Sequence, residues 1–363
     1  MGIQITPGVA NQRFTVQFPL ITEHYQEDIL NKRFEIACHL YNSMLLKIQR
    51  RLNEMRKTKA YRTTREKLTA INARIYSCGK EEQKALHHER AALRHKLKEL
   101  RALYRISDND FQIDIRPMQH HFTENIDCAT AQRIASRLWN AARAVLFSGG
   151  QELRCKEADA FNSLESKSTE SGIKFKEEKG IMVWRGLKIP VKVDYGNPYE
   201  AMAMEHKVKY CRIVRIFVRG KYKFYIQVVF EGLAPPKIDK STGELKHSLG
   251  KGDVGLDIGV QTLAVASSTD VKLFELADKV RNIDKEKRYL RRRIDRSRRG
   301  IKPDNRHEDG TAKAHSGRVN PKPNTGAHNK LRELHRKQAA IRRMQHHIMA
   351  NALLPLGEWT SAD

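Results

Sequence analysis

The feature that most constrains this chain is a hydrophobic period that changes twice within its first 230 residues. Residues 13–20 (RFTVQFPL) alternate, with Phe14, Val16 and Phe18 on one side, as in a strand with one buried face. From Thr22 the spacing becomes helical, and Ile29, Leu30, Phe34, Ala37, Cys38, Tyr41, Leu45, Ile48 and Leu52 fall on one stripe. Thr22, ahead of Glu23 and Glu27, reads as the N-cap. Residues 62–104 keep the helical period but are far more polar, and their narrow leucine and isoleucine stripes predict a long helical hairpin with one packed edge. A further helix is predicted from Ala129 to Phe147, with Ile134, Leu138, Trp139, Ala142 and Leu146 inward and Gly149-Gly150 as its stop. Period two then returns in Ile181–Trp184, Leu187–Val193, Val208–Val218 and Tyr222–Phe230, with a tight hairpin at Arg219-Gly220-Lys221. A single sheet or small barrel is therefore interrupted, after its first strand, by a helical insertion.

Residues 233–252 (LAPPKIDKSTGELKHSLGKG) read as a Pro, Gly and Lys linker. Beyond it, strands Val254–Ser267 and Val271–Leu276 lead into a helix from Asp278 to Arg299. Residues 300–328 have no period and read as a flexible loop. A last helix covers Asn329 to Leu354, with Leu331, Leu334, Ile341, Met344, Ile348 and Leu353 as its core stripe.

Charge narrows the partners. The 363 residues carry 68 Lys and Arg against 42 Asp and Glu, a net +26. So large an excess repels itself unless a polyanion neutralises it, and nucleic acid gains further from counterion release. The charge is concentrated in the helix 278–299, where Lys285, Arg288, Arg291, Arg292, Arg293, Arg296, Arg298 and Arg299 stand among few acids. A solvated helix normally mixes signs for i,i+4 pairing. This one reads as a phosphate-contacting surface, and its many arginines suit the geometry of phosphate.

Other classes are disfavoured. No run of about 18 apolar residues and no signal pattern occur, so a soluble cytoplasmic protein without a membrane partner is expected. The five cysteines are scattered without CxxC spacing. That predicts no zinc and mostly buried thiols in a reducing compartment. The adjacent pairs His87-His88, His120-His121 and His346-His347 cannot chelate one ion together on a helix, and satisfied or solvated histidines are the reading.

The sharpest chemical signal is Val254-Gly255-Leu256-Asp257-Ile258-Gly259, followed by Thr262-Leu263-Ala264-Val265-Ala266. A carboxylate in a buried strand needs a cationic partner, and flanking glycines allow a close approach. Asp257 is thus a candidate metal-binding catalytic residue; the alternative is a strand-end aspartate that caps a turn.

Taken in order, these segments resemble TnpB, the RNA-guided nuclease of bacterial insertion sequences, grouped with OrfB-family transposases and related to type V CRISPR effectors. The likeness is carried by Tyr41-Asn42-Ser43-Met44-Leu45 in the first helix, Val214 to Phe230, the Val254 to Ala266 motif, and the basic stretches Arg291–Gly300 and Lys330–Ile348. It implies an α+β multidomain fold: a wedge barrel (1–21 and 165–245), a helical recognition lobe (22–164), and a partial RNase H-like (RuvC) domain (246–363) containing basic helix 278–299, loop 300–328 and helix 329–355. It further implies guide RNA and target DNA as partners, and Asp257 as the first of three Mg²⁺-binding carboxylates. The family's later catalytic Glu, zinc knuckle and last Asp are not found before Asp363, and Glu358 is a poor substitute for the Glu. The resemblance therefore implies a C-terminally truncated chain. It would bind under RNA guidance without cutting alone, be completed by a separate C-terminal RuvC fragment, or be a decayed transposase remnant.

Overall fold

The structure is a computed structural model that describes residues 12–75, 77–147, 152–247, 250, 253–267, 270–280, 282–301, 303–305, 307–309, 311, 313 and 325–356. The predicted glycine stop at 149–150, most of the predicted loop 300–328, and Glu358 lie outside them. The fold mixes helices and sheets in two compact units. The first comprises residues 1–196, 200–215 and 224–234; the second comprises 197–199, 216–223 and 235–363.

In the first unit, β1 (Arg13–Pro19) has the alternating burial its sequence predicts, with Phe14, Val16 and Phe18 inward. Its partner is distant in sequence: β1 runs antiparallel to β7 (Lys221–Glu231), with Phe14 opposite Phe230 and Phe18 opposite Ile226. With β6 (Val208–Val218) and β2 (Ser163–Glu165) they form a sheet in the order β1-β7-β6-β2. The short strands β3 (Lys174–Lys176), β4 (Ile181–Trp184) and β5 (Leu187–Pro190) form a separate sheet in that order. The two sheets meet where Leu20 bridges Val191. There Ile21 N–H donates to the Pro190 carbonyl and Lys192 N–H to the Pro19 carbonyl, both at 2.9 Å. Neither proline has an N–H with which to extend a regular ladder, so the strands divide into two sheets instead of one.

Between β1 and β2 lie α1 (His24–Lys57), α2 (Lys59–Ile75), α3 (Lys80–Leu103), α4 (Asp108–Asp114), α5 (Arg116–His121) and α6 (Cys128–Phe147). The N-cap of α1 is Glu23, one residue beyond the expected Thr22. Its N–H donates to Gln26 Oε1 at 3.0 Å, while the Thr22 hydroxyl is drawn away to Glu27 at 2.8 Å. The buried stripe of α1 includes Leu30, Phe34, Ala37, Tyr41, Leu45, Ile48 and Leu52, as predicted. Helices α2 and α3 close as a hairpin around Ile71, Ile75 and Leu86. Helices α4 and α5, of 7 and 6 residues, were not predicted, because neither holds two full turns of apolar period. Only Cys38 and Cys211 are buried among the cysteines, and Cys128 and Cys155 are exposed, which corrects the expectation of mostly buried thiols.

The second unit carries the three-stranded antiparallel sheet β10-β9-β8, built from β8 (Val254–Ile258), β9 (Thr262–Ser267) and β10 (Val271–Glu275). One face packs Leu263 and Val265 against Met349 and Leu353 of α9 (Thr325–Leu353). Further along, α9 packs against α8 (Asp284–Ile301) through Ala327, Leu331 and Leu334, which meet Leu290 and Ile294. The core stripe expected for α9 is half right, since Met344 and Ile348 are 53% and 59% exposed. The buried residues of its C-terminal half are Gln345, Met349 and Leu353, at i,i+4 spacing. Met344 and Ile348 each precede that stripe by one position, about 100° round the helix.

Asp114, at the end of α4, is the most heavily paired carboxylate of the first unit. Its side chain is 5% exposed, and Lys47 Nζ at 3.3 Å and Arg105 Nη2 at 3.2 Å meet it together with Arg51. Burial alone would raise its pKa, but the hydrogen bonds and charges of Arg51 and Lys47 outweigh that and hold it below the usual carboxylate range. Asp114→Asn is expected to cost about 1.5–3 kcal/mol, as for hydrogen bonds to charged groups. Because the folded pKa is depressed, this stability is present above the unfolded carboxylate value and lost as pH falls through the folded one. Urea denaturation between neutral and acid pH should therefore show a shallower acid decline in the variant.

Candidate nucleic-acid interface

Two apolar side chains hold α8 in place. Leu290 and Ile294 lie i,i+4 on the α9 side and are the buried residues of the helix; the others are exposed or half-buried. The helix carries nine basic residues against Asp284, Glu286 and Asp295. The first two of these acids lie in its first turn, where the helix dipole favours them. Asp284 is held below the usual carboxylate range by its hydrogen bond to Lys287, 2.5 Å away. Downstream of that turn, only Asp295 offsets the charge, 3.9 Å from Arg298.

The structure places seven of the eight predicted phosphate-contacting residues, Lys285, Arg288, Arg291, Arg292, Arg293, Arg296 and Arg299, in solvent. Arg298 is half-buried beside Asp295. On α9, burial and the charges of Lys287 and Arg291 hold the His335 imidazole below its ordinary pKa. One cationic surface therefore includes the neighbouring turn of α9. Its charge suits phosphates.

Asp257 does not sit as expected. It lies mid-β8, opposite Ala264, but it is exposed, because β8 is an edge strand of the described sheet and Asp257 faces away from α9. The uncovered face also bears Gly255, Ala266, Val271 and Leu273, the last two 78% and 70% exposed. The glycines have separate reasons. A Cβ on Gly259 would press to 3.2 Å from Thr262 Oγ1 and 3.3 Å from its carbonyl, because Gly259 N–H donates back to that carbonyl in the β8–β9 turn. A Cβ on Gly255 would meet only Ala266 O at 3.7 Å, an ordinary contact. Gly259 thus serves the turn, and Gly255 alone is left as a point of close approach.

The Mg²⁺ implied by the resemblance would need several carboxylates close together. The nearest carboxylate on the same sheet face as Asp257 is Glu275, on β10, two strands away. At about 4.8 Å per strand that is on the order of 10 Å, far more than a pair of ions about 3.5–4 Å apart requires. Among the described residues no three His, Cys, Asp or Glu side chains group closely enough to hold a metal. The residues present do not fit the two-ion site. The paired histidines on α3, α5 and α9 are all exposed.

The sequence reading missed a second cationic site, in the first unit. A cavity of about 320 Å³ is lined by Arg133, Arg137, Arg212 and Glu165. Both Glu165 oxygens are taken, one by Arg133 and the other by Arg212 through Nε at 3.0 Å and Nη2 at 2.5 Å. Arg137 has only neutral acceptors in Ser163, whose carbonyl lies 3.1 Å away. Burial, and then the charge of Arg212, push the Arg137 pKa down. The only trace of this site in the sequence is the i,i+4 spacing of Arg133 and Arg137 on α6, since its other charged residues, Glu165 and Arg212, come from β2 and β6.

No family model matches the chain, and no curated protein matches it. No helix among the described residues is long and apolar enough to cross a membrane. Among solved structures the chain is similar to a Cas12f1–sgRNA–target DNA complex at 11% identity and a TM-score of 0.35, covering 94% of this chain and 78% of that one. It is also similar to a CRISPR-Cas12f ternary complex at 12% identity and a TM-score of 0.32, covering 92% of this chain and 61% of that one. At these TM-scores the likeness does not establish a shared fold.

Proposed function

We propose that this protein is an RNA-guided DNA-binding protein of the TnpB transposon type, which holds a guide RNA and its DNA target through their phosphates. The observation that carries this reading is α8, a helix anchored by two side chains with seven basic residues in solvent and a single acid after its first turn. Such a surface is costly for a protein already at net +26 unless a polyanion lies on it. The cationic cavity on α6 gives the first unit a second point of contact. The order of strand, helical insertion, strands and then Asp257 on its own small sheet agrees with the sequence resemblance. Among the described residues Asp257 has no carboxylates beside it with which to hold two metal ions, so the proposal is one of binding.

A second reading is an endonuclease that needs carboxylates from a separate C-terminal RuvC fragment. The motivating observation is the uncovered sheet face, which Asp257 on the edge strand β8 shares with the exposed Val271 and Leu273 of β10, on the far side of β9. Mg²⁺-dependent cutting of guide-matched DNA by this chain alone, abolished in Asp257→Ala, would reject the primary reading.

Purified from cells that express its locus, the chain is expected to carry a discrete RNA; bulk degraded RNA of no common sequence would sink the proposal. The triple change Arg291→Gln, Arg292→Gln and Arg296→Gln should weaken binding evenly across sequences. In a salt titration it should reduce the slope of log affinity by roughly 0.7–0.9 for each phosphate that is no longer neutralised. Asp257→Asn should leave urea stability within about 0.5 kcal/mol of wild type, as for an exposed side chain.

A further inference from the structure

We infer that the cleft between α2, α3 and the last turn of α6 holds one unpaired nucleotide, its base stacked on Phe147 and its phosphates on the arginines at the rim. This rests on the nucleic-acid reading above and says where a single base is gripped. The cleft measures about 410 Å³, within the roughly 300–1,000 Å³ of small-molecule sites. Its apolar part comes from Leu68, Leu97 and Leu146.

The side chain that a bare packing account leaves unexplained is Phe147. It ends the apolar face of α6, yet Leu146 beside it makes the buried contact and Phe147 is 57% exposed. The guanidinium of Arg101 lies 4.8 Å from the ring centroid and covers part of the ring. Arg65 and Arg94 stand exposed in the same lining, which contains no Asp or Glu. Elsewhere in the first unit arginines face carboxylates, as Arg74 does Glu82 at 2.6 Å and Arg51 does Asp114. Here three cationic groups converge without an acid. Burial pulls the Arg101 pKa down while the nearby Tyr61 hydroxyl acts against it, so an anion in the cleft would relieve a charge the protein itself does not balance.

These features together select the ligand. An inorganic anion would use the arginines and waste the apolar lining and the ring. A duplex keeps its bases stacked inside, so none can reach Phe147. A flipped or single-stranded nucleotide offers a flat π face to an aromatic ring, a sequence-tolerant contact, together with a phosphate.

The test uses the full chain and a single-stranded oligonucleotide with 2-aminopurine at one position, measuring affinity and fluorescence quenching together. Wild type is expected to quench the probe. Phe147→Ala should abolish the quenching and weaken binding roughly 5- to 150-fold, the equivalent of about 1–3 kcal/mol of base–aromatic stacking. Phe147→Trp should retain both, which separates stacking from a structural role. Arg65→Gln with Arg94→Gln should lower affinity and flatten its salt dependence. Unchanged affinity and quenching in Phe147→Ala, or equal weakening on single strand and duplex, would overturn the inference while the wider nucleic-acid reading stands. If wild type binds no nucleic acid, both fall.

Discussion

The first unit depends on a buried guanidinium. Arg33 on α1 is 4% exposed and donates to the carbonyls of Trp184 and Arg185, both at 2.8 Å. Its guanidinium lies 4.6 Å from the Trp184 ring centroid. The Trp184 indole N–H in turn donates to Asp127 Oδ2 at 2.8 Å. Asp127 accepts from the Thr130 amide at 2.9 Å and from its hydroxyl at 2.7 Å, and so fixes the start of α6. Burial, with Arg185 adding to it and Asp127 opposing, lowers the Arg33 pKa to about 10. It therefore remains charged at neutral pH, and a buried charge is tolerable only while its hydrogen bonds persist. One strand and two helices far apart in sequence are thereby tied together. Gly172 closes the arrangement: at φ +78° it comes so near that a Cβ would lie 2.9 Å from Asp127 Oδ1.

Nothing in the sequence marks this junction. Arg33 falls within a helical stripe and Trp184 within an alternating run, and each pattern reports only which face is inward. What period does report was recovered well. The phase of β1, the α1 stripe, the α2–α3 hairpin and the β6–β7 hairpin with its positive-φ turn at Arg219 and Gly220 all follow from spacing. Elements too short to show a period went unseen, including α4, α5, the strands β2 and β3, and α7 (Pro198–Met204). Pattern likewise misplaced Met344 and Ile348, because α9 meets α8 along one half and the sheet along the other. A single continuous stripe cannot describe a helix with two partners.

The candidate site shows the same division. The cationic surface of α8 was legible because it needs only the composition of one helix and the two residues that anchor it. The arginine cavity was not, because Arg133 and Arg137 meet Arg212 only after α6 packs against β2 and β6. An apolar strand with one polar residue resembles a covered strand, so the pattern alone puts Asp257 inside. In the sheet, the alternation that puts Leu256 inward turns Asp257 to the uncovered side. Its significance therefore depends on what lies against that face, and on nothing in the strand itself.

The distribution of acids explains how so basic a chain keeps its cations available. Many carboxylates are committed within the fold: Glu165 to Arg133 and Arg212, Asp114 to Lys47, Arg51 and Arg105, and Glu333 to Arg336. Each such pair joins elements or stiffens a helix, and none neutralises the outward face of α8 or the cleft beside Phe147. The fold places its negative charge where it fixes geometry and leaves its surplus positive charge on surfaces that geometry does not need. Self-repulsion is then relieved only by an anion from outside, so a bound polyanion should raise stability as well as occupy a site. On this physical view the folded protein would not be neutral towards a polyanion, because relief of its electrostatic repulsion would add to the affinity.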